Sequence, residues 1–198
     1  MSERFLLDPA TVSIFADDDW PEILELDGQP LHVEVGFGKD VRILRAAADA
    51  PDATFLGIEI SSKKQASFCR KVARLHLRNV RAYCGDVRDV LMEKLPEGSV
   101  ASFTILFPDP WPKRRHNKHR WIQPETARLL ARAMAPGATL VVATDHEGYA
   151  AQIHRCLEAG GLVLDVERID VPEEDHTIFA ARFERLGQRV LYQRWTKL

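Results

Sequence analysis

Short runs of apolar and β-branched residues alternate along the chain with longer stretches of helical character. This alternation favours an α/β fold, in which helices cover both faces of a mostly parallel sheet. Prolines and a Gly-Gly pair fall between the predicted elements, where they interrupt regular structure. About seven strands are predicted, at 31–35, 54–58, 80–84, 100–106, 139–144, 162–169 and 189–195, with helices near 40–49, 62–77, 86–94, 122–134 and 147–159.

The length of 198 residues fits one domain, and a chain of this size can bury a sufficient core without disulfide bonds. We expect residues 1–30 to form an N-terminal extension, in which Trp20 packs on the body of the protein. Residues 31–198 are expected to form the single domain. Within it, residues 170–188 contain Pro172 and several acids, and they are predicted to form a long loop.

The cysteines and the apolar segments indicate the cellular compartment. Cys69, Cys84 and Cys156 show no CxxC spacing and are expected to be reduced thiols. The apolar stretches are too short to cross a bilayer, and the charged N-terminal residues argue against a secretory signal. The sequence therefore predicts a cytoplasmic protein without a membrane partner.

Positive and negative charges nearly cancel, with 27 Lys and Arg against 29 Asp and Glu, but their distribution is uneven. Residues 61–81 contain seven basic side chains and no acid, and residues 113–120 contain five together with two histidines. Two such runs favour a basic surface on an acidic body, which is typical of a protein that binds a polyanion. Two solvated faces without a binding role are the alternative.

A glycine loop follows the first predicted strand, with Gly36 and Gly38 one residue apart. This spacing allows a tight turn and a close approach of the backbone to a ligand. Val41 stands where a dinucleotide fingerprint has its third glycine, which argues against NAD and FAD. Glu34, just before the loop, suits a ligand with a positive charge. The alternative is an ordinary strand-to-helix turn with Glu34 at the surface.

Acids also follow the second and third predicted strands. Glu59 lies 21 residues after Gly38, the spacing at which a carboxylate accepts hydrogen bonds from ribose hydroxyls. Asp86 follows the third strand, where its carboxylate can accept a hydrogen bond from the exocyclic amine of an adenine. Three acids after consecutive strands, with a glycine loop after the first, predict a site for S-adenosylmethionine.

The fourth predicted strand leads into FPDPWPKRRHNKHR at 107–120. Three prolines within five positions make a stiff loop, which would hold Asp109 and Trp111 at the mouth of the site. Trp111 either stacks on a splayed-out base or packs into the protein. The Lys and Arg residues that follow suit contacts with phosphates. His116 and His119 lack a third candidate ligand, so no metal site is predicted.

A basic stripe and one further acid extend the predicted surface for RNA. Lys63, Arg70, Arg74 and Arg78 are spaced by seven, four and four residues, which places them on one helical face suitable for backbone phosphates. Asp145 follows the fifth predicted strand, where either a helix N-cap or a substrate contact would explain it.

Four segments resemble motifs of the bacterial tRNA (guanine-N7-)-methyltransferases. They are Val-Glu-Val-Gly-Phe-Gly at 33–38, Phe-Leu-Gly-Ile-Glu at 55–59, the block at 107–120 and Ala-Thr-Asp at 143–145. The 107–120 block is highly specific to that family, and the similarity covers roughly residues 31–195.

The resemblance implies a class I methyltransferase fold, which is Rossmann-like and has a seven-stranded, mostly parallel sheet. It implies tRNA as the partner and transfer of the methyl group of S-adenosyl-L-methionine to N7 of a guanine in the variable loop. No membrane or metal is expected, and the protein is expected to be a monomer or a homodimer. The cofactor-binding residues are then Glu34, Gly36, Gly38, Glu59, Asp86 and Asp109, and the substrate-binding residues are Lys113, Asp145 and Thr177.

The sequence departs from the family pattern at two positions. Asp40 stands where the glycine loop of the family commonly has a further glycine. Ala180 stands where the substrate loop of the family often has a glutamate, and Glu184 is a candidate replacement in a different register. The first departure concerns the cofactor, and the second concerns the contact with the guanine.

Methylation of guanine N7 makes modest chemical demands, because this atom has an exposed lone pair and no proton. The enzyme needs no general base; it must align sulfur, methyl carbon and nitrogen and accommodate the positive charge that moves to the base. Asp109 is therefore the predicted catalytic residue, in a positioning and electrostatic role.

Two alternatives to this function stay open. One is a class I methyltransferase that acts on another RNA position, such as an exocyclic amine, although Asp109-Pro110-Trp111 only partly imitates the motif of those enzymes. The other is a relative that binds RNA with impaired turnover, which the residues at positions 40 and 180 make conceivable.

Overall fold

The computed structural model describes residues 7–26, 28–168, 178–187 and 189–198. The strands in these ranges are β1 (Ser13–Ile14), β2 (Leu31–Val35), β3 (Thr54–Glu59), β4 (Val80–Cys84), β5 (Val100–Leu106), β6 (Met134–Thr144), β7 (Leu162–Arg168) and β8 (Leu191–Lys197). The α-helices are α1 (Trp20–Ile23), α2 (Arg42–Asp49), α3 (Ser62–Leu75), α4 (Val87–Asp89), α5 (Pro124–Ala133), α6 (Glu147–Ala159) and α7 (Ile178–Arg185).

Across the described ranges, eight strands form one sheet in the order β1-β4-β3-β2-β5-β6-β8-β7. The pairs from β1 through β6 are parallel, and β8 runs antiparallel between β6 and β7. The α/β prediction is confirmed, but the expected count of seven strands is one too low. The additional strand, β1, pairs Ser13 with Ala82 and Ile14 with Tyr83. Two residues are too few for a periodic pattern, so the sequence did not reveal it.

Helices cover both faces of the sheet, and alternate side chains of β3 show how. Phe55 belongs to a core cluster built with residues of α2 and α3, whereas Leu56 and Ile58 belong to the cluster built with residues of α5 and α6. Successive side chains of a strand point to opposite faces, so one buried strand serves both cores. All six residues of β3 are buried, as expected for a central parallel strand.

The helix α3 has one buried and one basic face. Phe68, Cys69 and Val72 are buried, while Lys63 and Arg70 are exposed. The 3.6-residue period separates the two sets, so the predicted stripe is confirmed for the part that is helical. The helix ends where His76 adopts a left-handed conformation, with φ of 56°.

The expected packing of Trp20 on the body is confirmed. Its side chain is 1% exposed, and its ring meets that of Tyr83 edge-on at a centroid distance of 5.0 Å. The indole Nε1 donates to the carbonyl of Phe15 at 2.8 Å. The division into an extension and one domain stays a prediction, although the described part of the extension contributes both β1 and this buried aromatic side chain.

Two predicted elements differ from the structure. The helix expected near 86–94 is the short α4 followed by a π-helical segment, Val90–Lys94, a widening that hydrophobic spacing does not reveal. The loop expected at 170–188 is wrong for its second half, because α7 occupies Ile178–Arg185. The acids and the proline near residue 172 favoured a loop, whereas Phe183 gives α7 an apolar contact on the body. Residues 169–177 lie outside the described ranges.

The three cysteines are free thiols. Among the described residues, no helix combines the length and the hydropathy that a membrane crossing needs.

Candidate active site

The carboxyl ends of β2 through β6 meet at one edge of the sheet, because these strands are parallel. The predicted residues Glu34, Glu59, Asp86, Asp109 and Asp145 therefore come together at this edge, which we call the acidic edge. From β2 the chain first adds β3 and β4 on one side of the sheet and then returns to add β5 and β6 on the other side, so β2 lies between β3 and β5. A reversal of this kind leaves a crevice in which ligands of α/β sheets bind. Thr177, also predicted to contact substrate, lies outside the described residues.

The glycine loop after β2 has the backbone that the sequence predicted. Gly36 and Gly38 are both left-handed, with φ of 74° and 58°. Phe37 between them is buried and stacks on Phe68 at a centroid distance of 4.2 Å. A Cβ atom added to Gly57 would approach the Phe37 ring to 2.7 Å. Gly57 thus makes room for the aromatic anchor, while the space beside Gly36 is open.

Glu59 is hydrogen-bonded to the glycine loop. Its carboxylate is buried and accepts the backbone N–H of Gly38 at 3.0 Å and of Ser61 at 3.1 Å. Lys64 lies 3.4 Å away, from where its ammonium group donates to the same carboxylate. Such charge-assisted bonds are stronger than bonds between neutral groups. Glu59 thus fixes the distance between the ends of β2 and β3, whereas its contact with ribose stays a prediction.

Glu34 is buried, with 6% of its surface exposed, so it is not the surface carboxylate of the simpler alternative. The Arg42 guanidinium lies 3.4 Å from its Oε2. A carboxylate without water needs a cationic or hydrogen-bonding partner. The first turn of α2 supplies one, so the negative charge of Glu34 is kept beside the glycine loop.

Asp86 forms the N-cap of α4 and accepts the N–H of Arg88 at 2.9 Å. The Arg88 guanidinium also donates to this carboxylate, with Nη2 at 2.6 Å from Oδ2. Hydrogen bonding from Arg88 lowers the pKa of the Asp86 carboxyl below its ordinary value. The group is therefore ionised and can accept hydrogen bonds from a ligand at neutral pH.

The loop after β5 is strained as well as proline-rich. Phe107 and Trp111 are left-handed, with φ of 53° and 41°, which is rare for residues with a Cβ. Strained backbone persists only where its surroundings hold it in place, and it concentrates at functional sites. Between these two residues, Asp109 is exposed at the acidic edge. Lys113, the predicted tRNA contact, is exposed just beyond them.

Trp111 does not pack into the interior, because 39% of its surface is exposed. Its ring contacts His119 at a centroid distance of 5.2 Å and His116 at 5.8 Å. This surface cluster leaves part of the indole accessible to a base. In the part of the chain that the structure describes, no group of three or more potential ligands is arranged to hold a metal ion.

The helix cap after β6 is His146 rather than Asp145. Its Nδ1 accepts the N–H of Tyr149 at 3.1 Å, which satisfies a donor in the first turn of α6. Of the two roles considered for Asp145, the cap is therefore wrong. Its half-buried carboxylate at the acidic edge leaves the substrate contact as the prediction.

Three members of the basic runs do not face the acidic edge, which corrects the expectation that both runs form one surface. Arg78 and Arg81 lie at the amino end of β4, the opposite edge of the sheet. Arg81 also donates to the carbonyls of Arg78 and Val80, and burial lowers its pKa. Arg120 is buried, with 5% of its surface exposed.

The two departures from the family pattern have structural contacts. The Asp40 carboxylate accepts the N–H of Val41 at 2.6 Å and of Arg42 at 3.2 Å, so it is bonded to the backbone where α2 begins. Ala180 is buried on the inner side of α7. The same helix places Phe183 against Phe107, with ring centroids 5.3 Å apart. The helix α7 therefore contacts the strained loop of Asp109.

The basic side chains that pair with the acids were not predicted from the sequence. Arg42, Lys64 and Arg88 pair with Glu34, Glu59 and Asp86 at separations of eight, five and two residues, respectively. These separations differ, so no motif announces them. A cleft of about 380 Å³ lies elsewhere, between α6 and β8, and is lined by none of the predicted residues.

Comparison with known proteins agrees with this geometry. Residues 28–192 match a family model described as "Putative methyltransferase". Among solved structures, the 16S rRNA methyltransferase KamB superposes with a TM-score of 0.70 at 18% identity, over 93% of this chain and 94% of that chain. An antibiotic-related methyltransferase gives 0.69 at 16% identity, over 98% and 100%. These structural likenesses establish the fold.

Curated relatives are closer in sequence. The tRNA (guanine-N(7)-)-methyltransferase of Alkalilimnicola ehrlichii is 37% identical over 81% of this chain and 63% of its own length. That of Photobacterium profundum is 33% identical over 90% and 75%, respectively. The chain thus spans about two thirds to three quarters of the length of these relatives. On its fold and these identities, the chain belongs to the tRNA (guanine-N(7)-)-methyltransferase family.

Proposed function

We propose that this protein transfers a methyl group from S-adenosylmethionine to N7 of a guanine in the variable loop of tRNA. The observation that carries the proposal is the placement of the 107–120 block. Its Asp109 follows β5 at the acidic edge, and its exposed Lys113, Arg114 and Arg115 follow at once. Sites for a cationic cofactor and for a polyanion are thereby adjacent, and the family to which the chain belongs supports both.

The residues at the acidic edge fit S-adenosylmethionine. When bound, this cofactor supplies a methyl group on a positively charged sulfur. The open, left-handed backbone at Gly36 and Gly38 allows a close approach, and Glu34 places negative charge beside it. Glu59 is the last residue of β3 and Asp86 follows β4, where they would accept hydrogen bonds from a ribose and an adenine. Each carboxylate would then accept hydrogen bonds from the ligand in addition to those from its present protein donors.

The proposed mechanism rests on placement and electrostatics. Guanine N7 carries no proton, so no side chain of the protein acts as a general base. The loop is strained at Phe107 and Trp111, and we propose that it holds Asp109 near the base on which positive charge develops. Alignment of the reacting atoms supplies most of the acceleration that the protein must provide.

The tRNA would lie across the exposed basic residues on both sides of the cofactor. Lys113 and Lys118 follow β5, and Lys63 lies in the first turn of α3, shortly after the end of β3. Such residues contact phosphates and position the nucleic acid without reading its sequence. Asp145 and Thr177 are proposed to contact the substrate. We also propose that the protein works in the cytoplasm as a monomer or a homodimer.

The test is single-turnover methyl transfer to tRNA by Asp109→Ala, with cofactor and tRNA at saturating concentrations. We expect the rate to fall on the order of 100-fold, because the variant loses charge stabilisation in the transition state. Binding of tRNA, measured by filter retention, should stay within about twofold, since Lys113 and its neighbours are untouched. Glu97→Gln, an exposed change in a distant turn, is the control.

The product distinguishes the alternatives. A 7-methylguanine is alkali-labile and can be mapped by strand cleavage, and we expect it in the variable loop. Methylation elsewhere would support the alternative specificity, whereas cofactor and tRNA binding without any methylation would support the turnover-impaired relative. A wild-type rate in Asp109→Ala would remove this residue from the mechanism.

A further inference from the structure

Arg120 has an environment that its place in a basic run does not suggest. The neighbours Lys113, Arg114, Arg115 and Lys118 are exposed, whereas Arg120 has 5% of its surface exposed. It therefore cannot be one of the residues that a polyanion neutralises at the surface. Its role has to be found in the contacts that it makes inside the protein.

Those contacts reach two separate segments of the fold. The guanidinium Nε donates to the carbonyl of Pro110 at 2.8 Å. Its Nη1 donates to Oε1 of Gln152 at 2.9 Å and to the carbonyl of Gly148 at 3.2 Å. The Cζ atom lies 4.9 Å from the centroid of the Tyr149 ring, within the range of a cation–π contact. One side chain thus connects the loop after β5 to the first turns of α6.

The following residues reinforce this connection. The N–H of Ile122 donates to the Tyr149 hydroxyl at 3.0 Å, and its carbonyl accepts from Nε2 of Gln152 at 2.9 Å. Residues 120–122 are therefore joined to α6 by side chains on both sides of the backbone. Gln152 bonds to both residues: its Oε1 accepts from Arg120, and its Nε2 donates to the carbonyl of Ile122.

A buried guanidinium is costly unless its surroundings compensate for the lost water. Here the partners of Arg120 are neutral oxygens and an aromatic face, and within the described ranges no carboxylate forms an ion pair with it. An apolar residue would fill the same space without that cost. What Arg120 supplies instead is a planar fork that holds several acceptors at fixed angles, which Lys cannot reproduce.

The segments that it joins carry predicted site residues. Pro110 lies between Asp109 and Trp111, in the loop whose backbone is strained on both sides. The first turns of α6 come directly after Asp145. A change in the distance between the two segments would move Asp109 relative to Asp145.

We propose that Arg120 is a positioning residue that holds the loop of Asp109 at a fixed distance from Asp145, so that the two loops at the acidic edge act as one rigid unit. This inference rests on the proposed function for its catalytic consequence. Its structural content, the restraint of the loop, can be tested without any reaction.

The test uses Arg120→Lys, which keeps the charge and the aliphatic stem but loses the fork. We expect acrylamide to quench tryptophan fluorescence more strongly, because Trp111 would move with its released loop. Trp121, which is half-buried beside Arg120, is replaced by Phe in every protein compared. Trp20 and Trp195 are 1% exposed and contribute little. In a Trp111→Phe background the increase should disappear. Arg128→Lys, an exposed change on α5, is the matched control and should leave quenching unchanged.

The catalytic consequence is measured as single-turnover methyl transfer at saturating tRNA and cofactor. A displacement of about 1 Å at the reacting centre costs up to about 100-fold, so we expect Arg120→Lys to lose 10- to 100-fold in rate. Cofactor affinity should fall less than the rate, since Asp109 is the one predicted cofactor residue in the released loop and the glycine loop is untouched. Should Arg120→Lys fail to fold, Gln152→Ala, which removes one acceptor of the fork, should show both effects in smaller measure.

The outcomes separate the two proposals. Quenching and rate both at wild-type levels would overturn the role of Arg120. A lower rate without greater quenching would also overturn it, because the loss would not come from the loop. If the wild-type protein methylates no tRNA, the proposed function fails, and the quenching experiment alone still supports or overturns the restraint by Arg120.

Discussion

The Glu59 carboxylate spans the gap between two strand ends. One oxygen accepts the N–H of Ser61, and the other accepts the N–H of Gly38 and lies near Lys64. Because the group is buried, these bonds form with little competition from water. A single residue therefore shapes the glycine loop and also presents the acid that is proposed to meet the ribose.

We predict that Glu59→Gln weakens both stability and cofactor binding. The amide offers only one accepting atom, so the N–H of Gly38 or of Ser61 loses its partner, which costs about 1–3 kcal/mol when the donor is buried. Urea unfolding should show this loss, and calorimetry should show S-adenosylmethionine affinity at least tenfold lower. Glu158→Gln, exposed on α6, serves as the control. Unchanged stability would mean that the loop does not depend on Glu59.

At the scale of elements, α6 makes hydrogen bonds to residues 120–122, which follow the basic loop after β5. Its Tyr149 is fully buried, and its hydroxyl accepts the N–H of Ile122. Burial raises the pKa of Tyr149 from 10.0 to about 12. The native state therefore retains the phenolic proton at pH values at which the unfolded chain has lost it.

This difference predicts a pH dependence. Since the pKa of Tyr149 is higher in the folded state, its contribution to stability is complete below pH 10 and is lost as the pH rises to about 12. Tyr149→Phe should be less stable at neutral pH by about 1–3 kcal/mol, because the N–H of Ile122 loses its acceptor. The difference between the variants should shrink on the order of 2 kcal/mol between pH 10 and 12. Urea unfolding at several pH values measures it, and a constant difference would contradict the assignment.

At the scale of the whole molecule, opposite charges occupy different places although they nearly cancel in number. The acids that follow the strands meet at one edge, while exposed Lys and Arg residues flank that edge on α3 and after β5. Arg78 and Arg81 lie at the opposite edge, and Arg120 is internal. The surface that we propose for tRNA is therefore smaller than the count of basic residues suggests.

We predict that tRNA binding weakens steeply as salt rises, despite the pI near 6.4. Replacing Lys113, Arg114 and Arg115 by alanine should reduce the slope of log K against log salt by about 2 to 3, as released counterions no longer contribute. Arg78→Ala, at the other edge, should leave the slope unchanged. A flat salt dependence in the wild-type protein would show that both runs are merely solvated faces.

The sequence by itself determined the alternation of strands and helices, and hence the parallel sheet. It also placed Glu34, Glu59, Asp86, Asp109 and Asp145 at the carboxyl ends of strands, because position along a parallel strand decides the edge at which a residue emerges. The glycines at 36 and 38 were recognisable because a tight turn needs their left-handed backbone. These inferences require only local pattern and chain direction.

Tertiary structure decided what depends on contacts between distant segments. It paired Ser13 with Ala82, although a two-residue strand has no pattern of its own. It packed Phe183 of α7 against Phe107, where the sequence favoured a loop. It also buried Arg120 beneath α6, although its neighbours in the same basic run are exposed. Charge can be counted along a chain, but burial depends on which segments fold against a residue. Only the folded structure therefore distinguishes an exposed arginine from an internal one such as Arg120.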